Sequence, residues 1–269
     1  MNIPFTKSHA NGNDFVLMCA KDFPAKYRTK NIIFNICSRH TGIGADGLLI
    51  ISESRKYDFK LDYYNSDGSW ETLCANGSRC ATLYMYRNKK IKRNTQFLAG
   101  DGVHTAKVLK HSSVSMSINT PTYKSNKLIV EGLAGYFIDS GAKHFVVESK
   151  NLENDFVFSV GKKIRHAPDF APSGLNVNFY TLLDNNTINI KTYEKGIESI
   201  MTSCNSGSAA VVFHLAQAGL ITSPITTCSS GGSLLFSFTK NCNNLSAEGP
   251  VVMLFEGQLN FKHISELDI

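Results

Sequence analysis

Two stretches of this chain, "CANGSRCATLYMY" (residues 74–86) and "CNSGSAAVVFHLA" (residues 204–216), begin a helical pattern with nearly the same wording, about half a chain apart. Each sets a cysteine before small residues that suit a helix N-terminus. The second then runs apolar nearly all round, and such a helix has to be buried. Period-two runs surround both: "FVLMCA", "GLLIIS", "YDFKLDYYN", "SVSMSINT", "KHFVVES", "VNFYTLL", "TINIKTYE", "GSLLFSF" and "VVMLFEG". Such alternation reads as half-buried strands. Further helical pattern is confined to residues 27–39 and, more weakly, 159–166. The prediction is an α+β protein of two pseudo-symmetric lobes, each a curved, mainly antiparallel sheet wrapped round one central helix. A junction near "INTPTYKS" gives an N-terminal lobe of residues 1–119, to which 258–269 returns, and a C-terminal lobe of 120–257.

Composition narrows the function classes. With 42% apolar and 19% charged residues the chain reads as a soluble globule. Its apolar runs are far shorter than the ~18–20 residues that span a bilayer, so no membrane partner is expected. The start has neither the charged nor the apolar region of a signal peptide, and a cytoplasmic protein is expected. The net charge of +6 is mild. Its one dense cluster, "RNKKIKR", has no aromatics interleaved and reads as a solvated helix end rather than a nucleic-acid surface. Seven cysteines with no C-x-x-C pair argue against a disulfide framework and a zinc ribbon, and no metal site is expected. "GIGADG" fits G-x-G-x-x-G, but a helical pattern precedes it and a strand follows. That is the reverse of a nucleotide-binding turn.

Chemistry concentrates at the two helix starts. A thiol there has its pKa lowered from the free value of about 8.5. The unpaired N–H groups of Ala75 to Gly77 and of Asn205 to Gly207 can hold a carboxylate. If both starts face one bound anion, a thiolate and a thiol flank one carbon, the arrangement for removing a proton from one face and returning one to the other. The helix ends would stabilise the charge that spreads into the carboxylate. A lone cysteine near a helix start is more often packing than chemistry. Cys80, a turn and a half beyond Cys74, and Cys19, Cys37, Cys228 and Cys242 are read as structural.

Eight blocks in order, among them "SHANGNDFVLM", "RHTGIGADGLLII", "YNSDGSWETLCANGSRC", "GAKHFVV", "NVNF", "YEKG", "CNSGSAA" and "EGPVVMLFEG", make the chain resemble the diaminopimelate epimerases of the wider cofactor-independent epimerase and racemase group. The resemblance implies two lobes with the active site in the cleft between them, no cofactor, a small-molecule amino-acid substrate and a homodimer. It implies that Cys74 and Cys204 are the acid and base interconverting LL- and meso-diaminopimelate for lysine and cell-wall synthesis. Position by position, it implies substrate contacts at Asn13, Gly47, Asn65, Ala75, Asn76, Gly77, Asn176, Glu194, Lys195, Asn205 and Ser206, with His144 and Glu194 tuning the thiols. Outside that pattern, Asn13, Asn65 and Asn76 would read as turn residues and His144 as a satisfied core histidine. The chain departs from the family at Ala142, where asparagine or valine is usual, and at Lys195, where a planar arginine clamp becomes a point charge. Gly47, Ala75 and Asn205 also depart. Two alternatives stay open: a cofactor-independent racemase for another amino acid, and a thiol redox sensor in which Cys74 and Cys204 pair reversibly.

Overall fold

Each of the nine alternating runs forms a strand and each of the four helical patterns a helix in a computed structural model that describes residues 1–266. The chain divides into two units, one of Met1–Met116 with the chain from Gly249 on, the other of Ser117–Glu248. The first unit runs β1 (Asn2–Ala10), β2 (Asn13–Cys19), α1 (Lys30–Cys37), β3 (Gly47–Ser52), β4 (Phe59–Asn65), β5 (Trp70–Glu71), α2 (Ala75–Arg87), β6 (Asn94–Ala99), β7 (Gly102–Val108) and β8 (Ser113–Ser117). After β9 (Thr122–Tyr123) and β10 (Leu128–Val130), the second runs β11 (Leu133–Asp139), β12 (Lys143–Glu148), α3 (Asn154–Arg165), β13 (Asn176–Asp184), β14 (Thr187–Glu194), β15 (Ser199–Met201), α4 (Asn205–Gln217), β16 (Ile225–Ser229), β17 (Gly232–Thr239) and β18 (Asn243–Pro250). Then come β19 (Val252–Asn260) and the short α5 (Phe261–Ser265). The return to the first unit starts at Gly249, not at 258, because β19 pairs with β1 from Val252 to Asn260. Residues 267–269 of the expected returning segment lie outside the described residues.

The two units repeat one pairing scheme. β2 is parallel to β3, β3 antiparallel to β4, and β4 antiparallel to β5 and parallel to β6, which leads antiparallel into β7 and β8. β12 to β18 follow the same scheme pair for pair. Register fixes the equivalences: Phe15 lies opposite Gly47 as His144 lies opposite Asn176. Leu49 therefore corresponds to Asn178, and the last residues of β4 and β14, Asn65 and Glu194, correspond to each other.

Strand alternation sends the two faces of each sheet to different helices. In the first unit Val16, Met18, Leu48 and Ile50 join Ile33 and Ile36 of α1 in one core. In the second, Phe145, Val147, Val177 and Phe179 join Val157 and Ile164 of α3. The residues between them face α2 and α4. A Cβ on Gly77 would lie 2.7 Å from Leu49 Cδ2, and one on Gly207 would overlap Asn178 Nδ2, so glycine lets each helix start press onto its sheet. Asn178 is held by two hydrogen bonds and has no room to move aside. Gly207→Ala is expected to destabilise the protein by about 1–3 kcal/mol as an overpacked site, read as a lowered urea midpoint; an unchanged midpoint would mean that Asn178 is free to move.

Six strands of five residues or more were not among the alternating runs: β1, β6, β7, β11, β16 and β18. β1 lies between β2 and β19 and buries Lys7 and Ser8, which break its apolar pattern. β18, "NNLSAEGP", buries only Leu245, Ala247 and Gly249. Among the described residues no helix is long and apolar enough to cross a membrane.

Candidate active site

Both cysteines of the repeated wording are N-caps with nearly the same backbone. Cys74 has φ −126° and ψ 111°, Cys204 φ −124° and ψ 103°, and neither side chain caps its helix. The carbonyls of Cys74 and Cys204 accept the first helical N–H bonds, from Ser78 and Ser208 at 2.8 and 3.0 Å. The preceding N–H groups of each helix have no partner inside the helix, as at any helix start. Both residues are half-buried, and none of the seven cysteines forms a disulfide. Cys37, Cys80 and Cys242 are buried, and burial pushes the Cys80 thiol up to about 12. Cys19 and Cys228, read as structural, are half-buried near strand ends.

The first helix start is a chain of amides. Asn13 Nδ2 donates to Asp46 Oδ2 at 2.8 Å, which turns its Oδ1 toward α2. That oxygen accepts from Asn76 Nδ2 at 3.2 Å and from the Cys74 thiol at 3.8 Å. Asn76 Oδ1 accepts from Arg79 Nη2 at 2.6 Å. Asp46 can only accept and Arg79 can only donate, so both amide orientations are fixed. Behind Asp46 lies an ion cluster. Arg39 donates to Asp46 and, through two nitrogens, to Asp14, which pairs with the buried Lys7 at 2.7 Å. Asn65 is not in this chain; its amide bonds Tyr63 and Ser69 instead. Gly47 is buried, and a Cβ there would stand 2.6 Å from the Tyr63 ring.

The second helix start has titratable partners at the equivalent positions. His144, fully buried, meets Asn178 Oδ1 through Nδ1 at 2.7 Å and Ser206 Oγ through Nε2 at 3.1 Å. Asn178 Nδ2 donates to Thr192 Oγ1 at 2.6 Å, so Asn178 Oδ1 faces His144 as an acceptor and the imidazole proton sits on Nδ1. Nε2 is then an acceptor for the Ser206 hydroxyl, which lies 3.5 Å from Cys204 Sγ. Burial pushes His144 down to about 4, so the ring is neutral at physiological pH. Burial pushes the Glu194 carboxyl up to about 7, partly offset by its hydrogen bond with Cys204. Burial, and then the Glu194 charge, raise Cys204 well above the ordinary thiol range. Asn176 Oδ1 accepts the Lys195 backbone N–H at 2.8 Å, while the Lys195 side chain is exposed. Asn205 is buried with both amide atoms unpartnered.

The family resemblance implies His144 and Glu194 as partners of the thiols. Sequence reasoning gave no role to Asp46, Arg79, Asn178 or Thr192. The signal for Arg79 was the "SRC" of the first stretch, an arginine on a helix otherwise expected to be buried. Among the described residues, no group of three or more His, Cys, Asp or Glu side chains is placed to hold a metal ion.

The profile of the diaminopimelate epimerase family matches residues 5–123, which include the first helix start. A diaminopimelate epimerase of Aquifex aeolicus is 33% identical over 95% of this chain and 97% of its own length. The chain belongs to the diaminopimelate epimerase family. Another family member, from Campylobacter jejuni, is 33% identical over 96% of this chain and 99% of its own. Solved structures extend the likeness of fold beyond the diaminopimelate epimerase family. A hydroxyproline epimerase from Agrobacterium vitis matches with a TM-score of 0.75 at 12% identity, covering 96% of this chain and 92% of that one. A phenazine biosynthesis protein of the PhzF family from Bacillus anthracis matches at 0.74 and 11%, covering 96% and 99%.

Proposed function

We propose that this chain inverts the α-carbon of a free amino acid, taking LL-diaminopimelate to the meso form, by proton transfer between Cys74 and Cys204. The observation that carries the reading is the matched N-cap geometry of the two cysteines, each followed by small residues that leave N–H groups open to a carboxylate. One cysteine, as thiolate, takes the α-proton. The charge left behind spreads into the substrate carboxylate, where the helix-start N–H groups and dipoles stabilise it. The other cysteine, as thiol, returns a proton to the opposite face. Glu194, with a carboxyl near 7, is suited to accept the Cys204 proton when that cysteine has to act as base. Asn13, Asn65, Asn76, Asn176 and Ser206 are the substrate-facing polar groups of this reading. It includes a homodimer and a cytoplasmic location, whose reducing conditions keep both thiols free.

Asn205 favours a second substrate within the same chemistry. It stands where the family has glycine, its amide is buried without a partner, and Ala142 and Lys195 also change the second unit's polar groups. Incubation of the reduced protein with LL-diaminopimelate in deuterated water separates the readings. The expected result is meso product carrying deuterium at the inverted α-carbon. Exchange with a different amino acid alone selects the second reading. Exchange with none overturns the isomerase and leaves the thiol-sensor alternative.

A further inference from the structure

The turn that follows Glu194 is fastened from outside itself. Glu194 pairs with Ser199 across it, whereas in the first unit Asn65 meets Ser69, so the second turn is one residue longer. Gly196, at φ 87°, and Glu198, at φ 53°, take up the extra length. Glycine accepts such a conformation freely, but an L side chain adopts it at a cost and needs its surroundings to hold it. The first unit's turn is closed by its own Asp67, whose Oδ1 accepts from the Ser69 N–H at 2.8 Å and hydroxyl at 2.6 Å. In the second, the Glu198 carboxylate reaches past the turn to the end of α3. Its Oε1 accepts from the Gly196 N–H at 3.0 Å and from Arg165 Nε at 3.2 Å, with Arg165 Nη2 also at 3.2 Å. Its Oε2 accepts from the Tyr193 hydroxyl at 3.2 Å and lies 3.4 Å from Nε2 of His166, the C-cap of α3. Within the turn, the Glu198 N–H donates to the Glu194 carbonyl at 2.8 Å. On its other side the Lys195 N–H donates to Asn176 Oδ1 at 2.8 Å.

We propose that Glu198 is a positioning residue: it ties the turn between β14 and β15 to α3 and so holds the Glu194 carboxyl against the Cys204 sulfur. The Glu194 side chain does little to fix itself. Its Oε2 is buried without a partner, and its one hydrogen bond among the described residues is with Cys204. The backbone of the turn therefore decides where this carboxyl stands. The Glu198 side chain is 39% exposed, and ion pairs so exposed add little to stability. Their convergence on one carboxylate serves the geometry of the turn. Displacing Glu194 has a readable consequence at the sulfur. Burial first, and then the Glu194 charge, raise the Cys204 thiol, while the Ser206 hydroxyl and the Gly207 N–H lower it. His144, on the far side of Ser206, is neutral, so the charge that the turn controls is that of Glu194.

The proposal rests on the two-cysteine reading for the role of Cys204 and is tested without turnover. Iodoacetamide labelling of the reduced full-length protein is followed at about pH 8 by peptide mass spectrometry, with Cys228 as internal reference. Under these conditions the rate at Cys204 rises roughly tenfold for each unit by which its midpoint falls. Glu198→Ala is expected to raise the Cys204 rate about tenfold or more, because Glu194 is released from the sulfur. Glu194→Gln is expected to raise it as well. Adding Glu198→Ala to Glu194→Gln should then bring no further rise, since both act through the same carboxyl. A folded Glu198→Ala in which Cys204 labels no faster than in the wild type overturns the proposal. So does a rise of equal size in the Glu194→Gln background, which would mean that the turn only shields the sulfur. If Glu198→Ala does not fold, Arg165→Gln breaks the same tie from α3 and is judged by the same outcomes. Deuterium exchange with an unmoved Cys204 rate removes the role of Glu198 alone; a moved rate without exchange removes the reaction alone.

Discussion

Alanine at either Cys74 or Cys204 is expected to lower epimerisation by about 10³-fold or more, some 4 kcal/mol of transition-state stabilisation. The size of the effect follows from what surrounds each thiol. The Cys74 thiol donates to the Asn13 amide oxygen, which has no useful proton affinity. Around Cys204, Ser206 is a weak base, and His144 is neutral, buried and already committed through Nδ1 to Asn178. Among the described partners of Cys204, Glu194 is the one that could stand in, and its hydrogen bond is to the sulfur. Stereoisomer-resolved chromatography of the product mixture measures the loss. Near-full activity in either variant would show that the two-base assignment is wrong.

Asp14→Ala is expected to cost about 3–5 kcal/mol of stability, because it removes the partner of a buried charge. Lys7 and Asp14 are 2.7 Å apart with side chains 7% and 16% exposed. Without the carboxylate, the partners left among the described residues are the Gly44 carbonyl for Lys7 and Asp46 for Arg39. Urea unfolding should show the lower midpoint, and activity should fall as well, because Asp46 orients Asn13. The pH dependence has a definite sign. Burial raises the Asp14 carboxyl, but hydrogen bonds and charge from Arg39 and Lys7 outweigh it and hold the group at about 2 against an ordinary 3.8. The carboxylate's contribution is therefore fully present above 3.8 and is lost as the pH falls through about 2. A wild type no less stable at pH 2 than at pH 5 would contradict this account, as would an Asp14→Ala variant with an unchanged midpoint.

Strands with one apolar face and helices with small-residue starts were legible because their signal is local and periodic. The cysteine pair was legible because the chain contains it twice. What could not be read depends on contacts between residues distant in sequence. Asp46 sits in "GIGADG", whose glycines suggested a phosphate loop in the wrong order, and its role appears only when β2, 32 residues earlier, is laid beside β3. Asn178 looks like one polar residue in an apolar strand until register sets it under Gly207 and beside His144. Arg79 was hidden by the helix it sits on, since a buried face is expected to be apolar.

Phe15 and Leu49 under one helix start, His144 and Asn178 under the other, occupy the same two places of a scaffold built twice. A change at either pair acts first on the helix start that it underlies. In the two-cysteine reaction proposed above, each sulfur's proton affinity is then set by residues of one half of the sequence, and the two can be adjusted by separate substitutions.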